Sequence, residues 1–180
     1  MRMQHLVALG VALGLALAAG AASAEQARFP EPKAVCKALS REGFVSGSWR
    51  KDDQSFEDTQ FNAHKCLSES LIIPGGDGSF VTSLNYFAEG RTADHVEIVK
   101  LILNVHNRKT REAGRSKFLA SSKMLLHALA IEPPPALLAA LDQSKAGTFP
   151  FAGGRIRYEV WPIPVERQRL TIETDTVLQR

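Results

Sequence analysis

Cys36 and Cys66 are the only cysteines of the chain, and His64 lies two positions before the second, in the run HKC. Residues of these types serve three chemistries: a disulfide, a metal site, or thiol exchange. Zinc patterns combine closely spaced ligand pairs, whereas Cys36, His64 and Cys66 supply three ligands with no second spaced pair. Redox cysteines favour the CxxC spacing, which is absent. An even count of two in an exported chain favours the first chemistry, a Cys36–Cys66 disulfide. Closing a loop of about thirty residues contributes roughly 3–4 kcal/mol, chiefly by restricting the unfolded chain.

Other reactive types are scattered. The histidines beyond the leader, His64, His95, His106 and His127, form no HExxH pair, and His127 among Met124, Leu125 and Leu126 is expected at the core boundary. GFVSGSW is not a GxSxG elbow. Asp52, Asp53, Glu57 and Asp58 gather in KDDQSFEDTQ without the Asp/Asn–Gly alternation of a calcium loop, so a solvated turn is expected. Glycoside cleavage needs two carboxylates, and nothing selects a pair among Glu31, Glu89, Glu97 and Glu159. PGGDG lacks the lysine of a phosphate cradle and precedes a strand, which predicts a β-turn. The reading therefore assigns no catalytic residue, no metal ligand and no cofactor.

Two groupings could bind rather than react. In HNRKTREAGRSK, Arg108, Lys109, Arg111, Arg115 and Lys117 are opposed only by Glu112, as in a basic interhelical loop. Such a stretch can contact lipid headgroups, acidic polysaccharide or an acidic partner. In GRIRYEVW, Arg155, Arg157 and Trp161 share one face of a strand, with Arg167 and Arg169 on the next. Arginine beside an aromatic is enriched at interface centres, although arginine stems also cover aromatic rings on ordinary solvent faces.

The N-terminus decides the compartment. Arg2 precedes an apolar run over residues 6–21, and Ala22-Ser23-Ala24 places small residues before Glu25. That is the three-part pattern of a secretory signal peptide over residues 1–24. Removing 24 of 180 residues leaves 156, enough for one globular domain over 25–180. The remaining charge is modest, and the composition excludes nucleic acid as an expected partner. After cleavage no stretch is long and apolar enough to span a bilayer as a helix.

The elements follow from periodicity. EPKAVCKALSREGF predicts a short helix opened by Pro32 and ended by Gly43, turning Val35, Cys36 and Leu39 inward. Residues 59–70 and SFVTSLNYFAEG predict an antiparallel hairpin about the glycine-rich turn. RTADHVEIVKLILNVHNR predicts a helix with Thr92 as N-cap and two apolar stripes. Phe118, Leu125, Leu126 and Leu129 mark a second helix stopped at Pro133, and PALLAALDQSKAG a third. Alternation in GRIRYEVWPIP and RQRLTIETD predicts a final hairpin. The expected fold is α+β: an antiparallel sheet of two hairpins, two to three helices on one face, and a short N-terminal helix tied by the disulfide.

These readings converge on an exported, periplasmic or secreted, non-enzymatic binding protein. Its partner would be another envelope protein or an anionic envelope component, met through the last hairpin or the basic connector. Two alternatives are a small envelope hydrolase acting on peptidoglycan and a carrier with a cavity between helices and sheet.

Overall fold

In a computed structural model of the protein, which describes residues 29–52, 64–76, 80–162 and 165–175, Pro32 opens a short helix, α1 (Pro32–Cys36). Proline suits that position because the first helical N–H needs no partner. A 3₁₀ turn over Ser40–Glu42 follows, and Gly43 ends it at φ 90°, a left-handed conformation that glycine adopts without strain. Val35, Cys36 and Leu39 are buried, as their spacing predicts. The leader, most of the acidic run and the tip of the glycine-rich turn lie outside the described residues.

The described strands are β1 (Arg50–Lys51), β2 (His64–Leu67), β3 (Leu71–Ile72), β4 (Ser83–Gly90), β5 (Ile98–Val105), β6 (Gly147–Phe151), β7 (Gly154–Trp161) and β8 (Glu166–Thr174). They form one antiparallel sheet in the order β1-β2-β4-β5-β8-β7-β6, with β3 also pairing β4. The α+β architecture is the one the sequence predicts. Both hairpins are present, and the disulfide joins Cys36 on α1 to Cys66 on β2 with Cα atoms 6.0 Å apart. A second tie reinforces it: the buried Tyr86 hydroxyl on β4 donates to the Val35 carbonyl at 2.7 Å.

Three expectations need correction. Residues 92–105 are not a helix. They lead into β5, the strand that joins the two hairpins into one sheet and is buried on both faces. A strand apolar on both sides loses the period-two alternation and imitates a broad helical stripe. The basic connector is not an interhelical loop either. Arg108 and Lys109 sit in a 3₁₀ turn, and Arg111 starts α2 (Arg111–Ala128). The third correction is His127, which is exposed on α2 rather than at the core boundary.

α2 and α3 (Pro135–Asp142) pack on one face of the sheet. That face carries Leu84, Tyr86, Val99, Leu101, Leu103, Ile156, Tyr158, Leu170 and Ile172 against Phe118, Leu125, Leu126 and Leu137, all buried. Phe118 and Tyr158 stack with centroids 6.1 Å apart. Gly114 lets α2 approach closely, since a Cβ there would lie 2.8 Å from the Thr82 methyl. β6 has no counterpart in the sequence reading. Its Pro150 lacks an N–H and is tolerated because β6 is an edge strand.

Candidate functional site: the polar face of the sheet

The opposite face of the sheet is charged. Its alternate residues line up across the strands in four rows fixed by the register. The first row runs Lys65, Glu89, Ile98, Glu173, Arg155, and the second Phe87, Lys100, Thr171, Arg157. The third runs Asn85, Ile102, Arg169, Glu159, and the fourth Ser83, Asn104, Arg167, Trp161. No described helix packs on these rows in the way α2 and α3 pack on the other face.

Burial is deep toward β4 and β5 and shallow toward β7. Glu89 is 0% and Lys100 2% exposed, and Lys100 Nζ donates to Glu89 Oε1 at 2.6 Å. Lys65 is also buried, 4.0 Å from Asp52. Burying such charges costs several kcal/mol per ion unless each finds a partner, which accounts for the alternation of sign along this part of the face. Ile98 and Ile102 are buried on the same side, next in register to Glu173 and Arg169, whose stems can cover them.

The hairpin residues singled out in the sequence do come together. Glu173 is 1% exposed and receives Arg155 Nε at 2.6 Å and Arg157 Nη2 at 2.5 Å. Arg169 donates to Glu159 at 3.0 Å. Trp161 is 36% exposed, with the Arg169 and Arg167 guanidinium carbons 4.9 and 5.9 Å from its ring centroid. Four arginines therefore share the β7–β8 surface with two carboxylates, and two of them, Arg167 and Arg169, lie against the Trp161 ring. Two buried polar atoms here have no hydrogen-bond partner among the described residues: Arg157 Nε and Thr171 Oγ1.

The sequence reading missed Lys100, Glu89, Thr171 and Glu173. The period-two rule could have placed Thr171 and Glu173 with Arg167 and Arg169. Lys100 and Glu89 stayed hidden once β5 was taken as a helix.

The basic connector goes elsewhere. On the helix-covered face, Arg111 Nε meets Glu166 at 2.5 Å and Arg115 Nε meets it at 2.8 Å. Gln168 Nε2 donates to the same carboxylate at 3.1 Å, and Gln168 Oε1 accepts from the Tyr158 hydroxyl at 2.8 Å. Burial alone pushes the Glu166 carboxyl up, but the hydrogen bonds from Arg115 and Gln168 and the nearby guanidinium charges outweigh it and hold the carboxyl below its usual range. Burial raises the Tyr158 phenol, against a Ser144 hydrogen bond and the Arg115 charge. Lys117 reaches Glu42 at 2.8 Å, while Arg108 and Lys109 remain exposed.

Among the described residues, no three His, Cys, Asp or Glu side chains come together as metal ligands. His64 stacks on Trp49 with centroids 6.1 Å apart, and His95 lies 3.2 Å from Asp94. Two mainly apolar grooves of 620 and 700 Å³ flank Ala130–Pro133, at the end of α2. No described helix is long and apolar enough to cross a membrane.

The fold and this face define a disulfide-stapled α+β protein with a charged second sheet face, deeply buried over β2, β4 and β5 and partly exposed along β7. The chain belongs to a family of unknown function (DUF6030), which it matches over residues 14–159. The match takes in α1 through most of β7 and ends before Trp161, Arg167 and Arg169. No curated protein and no solved structure matches the chain.

Proposed function

We propose that the protein is an exported binding protein of the cell envelope, released from its leader after Ala24, that contacts an anionic envelope component through the β7–β8 surface. One observation carries the reading: Arg167 and Arg169 lie against Trp161, with Arg157 and Arg155 farther along the same strand face, on a side of the sheet that α2 and α3 leave uncovered. Glu173 holds Arg155 and Arg157 in place, and Glu159 holds Arg169. Prepositioned guanidinium groups lose less side-chain entropy on meeting an acidic partner. The Cys36–Cys66 disulfide supports an oxidising compartment, where such bonds persist.

Co-sedimentation of residues 25–180 with an isolated cell-envelope fraction tests the role. Binding is expected to fall with added salt, because exposed charge contacts are screened. The double variant Arg167→Ala/Trp161→Ala is expected to bind at least tenfold more weakly. Equal recovery of wild type and variant refutes the reading. The export step is checked by intact mass: protein recovered from outside the cytoplasm should begin at Glu25.

A further inference from the structure

One end of the sheet carries large apolar side chains that the core does not take up. Phe80 is 71%, Ile72 46%, Val81 40% and Trp161 36% exposed. The register relates them. Ile72 on β3 stands opposite Ser83 and so extends the fourth row, which runs on through Asn104 and Arg167 to Trp161. Val81 lies two positions before Ser83 and keeps to the same side of the chain, with Phe80 next to it. Ile72 and Trp161 are four strand spacings apart, about 19 Å.

Cations stand between these two apolar points. β5, the middle strand of that row, leads through the exposed His106 into the turn that holds Arg108 and Lys109, both exposed. Arg167 and Arg169 lie against Trp161. Against them stand Glu166, buried beneath Arg111 and Arg115, and Glu112, exposed in the first turn of α2 and 3.8 Å from Arg115. The two apolar grooves lie at the far end of α2, so this end of the molecule presents projecting side chains rather than a cleft.

Resting on the envelope-binding role, we infer that the anionic component is a lipid bilayer and that this end of the sheet docks on its surface. Phe80, Val81 and Ile72 enter the headgroup layer, and Trp161 sits at the same boundary, where an amphipathic ring is favoured. Arg108 and Lys109, between them, meet the lipid phosphates. A short apolar contact or a few surface cations alone bind a membrane weakly, and the two together reinforce one another. Two features favour a bilayer over an acidic polymer. The side chains project from turns, which suits a broad deformable layer, and a polyanion offers the Phe80 ring no apolar surroundings.

The test is co-sedimentation of the disulfide-bonded 25–180 chain with vesicles of equal parts phosphatidylglycerol and phosphatidylcholine. Pure phosphatidylcholine vesicles and poly-L-glutamate are run in parallel. The mixed vesicles are expected to bind in a salt-sensitive manner, with the other two probes at least about tenfold weaker. Phe80→Ser, at a largely exposed site, should keep the wild-type melting temperature and lose about fivefold or more in vesicle affinity. Arg108→Gln/Lys109→Gln should lose about tenfold on the mixed vesicles. In a Trp49→Phe background, lipids with brominated acyl chains should quench the Trp161 emission, which a purely electrostatic contact would not do. Wild-type vesicle affinity in both variants, or unquenched emission, overturns the docking surface. Equal binding to neutral vesicles or to polyglutamate overturns the anionic bilayer as its partner. Absent vesicle binding, with envelope recovery that still falls in Arg167→Ala/Trp161→Ala, overturns the lipid and leaves the envelope-binding role standing. Absent vesicle binding with unchanged envelope recovery of that variant overturns both.

Discussion

Glu166 and Glu173 both lie on β8, both are buried, and each receives two arginines. Seven positions apart on a strand, they point to opposite faces of the sheet. Glu166 draws Arg111 and Arg115 from α2 and so bolts a helix to the sheet across 51 residues of chain. Glu173 draws Arg155 and Arg157 from the neighbouring strand, on a face that α2 and α3 leave uncovered. The same ion-pair chemistry therefore does different jobs. In one place it holds the fold, and in the other it holds cationic groups ready on a surface.

The largest expected effect is at the bolt. Glu166→Ala removes the acceptor of Arg115 and Gln168 and leaves two arginines at the positive end of the α2 dipole opposed only by the exposed Glu112. A loss of about 2–4 kcal/mol in urea unfolding is expected, near the lower end of the range for a broken buried pair because Arg111 and Arg115 retain some access to water. Glu173→Ala should lose about 1–2 kcal/mol, since Arg155 and Arg157 can turn to solvent, but it should change envelope binding more than Glu166→Ala does. Equal stability losses would erase the distinction between the two clamps.

Acid separates the Glu166 clamp from its isostere. The folded-state carboxyl is held below its unfolded value near 4.3, so its stabilisation is complete above that value. It is lost as pH falls through the folded value. Thermal melts of wild type and Glu166→Gln should therefore differ most at neutral pH, and the gap should shrink as pH falls below the unfolded value and through the lower folded one, because glutamine does not titrate. A gap that does not shrink as pH falls below the unfolded value would show that packing rather than charge holds α2 at this point.

How much of this was legible in the sequence follows from where the relevant forces lie. Period-two alternation marked β7 and β8 and put Arg155, Arg157 and Trp161 on one side, because each strand has one apolar and one polar face. Pro32 and Gly43 bounded the first helical segment through local backbone preferences, and two cysteines sufficed for the disulfide. β5 was misread because it is buried on both sides, where the pattern carries no period, although its richness in valine and isoleucine favours a strand. The first turns of α2 were misread because Arg111 and Arg115 oppose the helix dipole there. Glu166, distant in the chain, supplies the compensating charge that no local rule can see. The Glu89–Lys100 pair was invisible for the same reason, since each residue is tolerable in the interior through a partner that no local rule can see.

The smallest effect probes the surface side of the comparison alone. Arg169 lies over Trp161 and also donates to Glu159, and a partly exposed cation–aromatic contact is worth about 0.5–1 kcal/mol. In a Trp49→Phe background, where Trp161 is the remaining tryptophan, Arg169→Ala should lower stability by about that amount. It should also shift the indole emission to the red, as the ring loses its guanidinium cover and meets water. Lys117→Ala serves as the counterpart on the helix side. It removes the contact with Glu42 at a partly exposed site, so a stability change of about 0–1 kcal/mol is expected with the emission unmoved. Two variants of similar thermodynamic size would then be told apart by the spectrum. Only the one on the open face should alter the surroundings of the ring, and an unshifted emission in Arg169→Ala would mean that the arginine does not shape that face around Trp161.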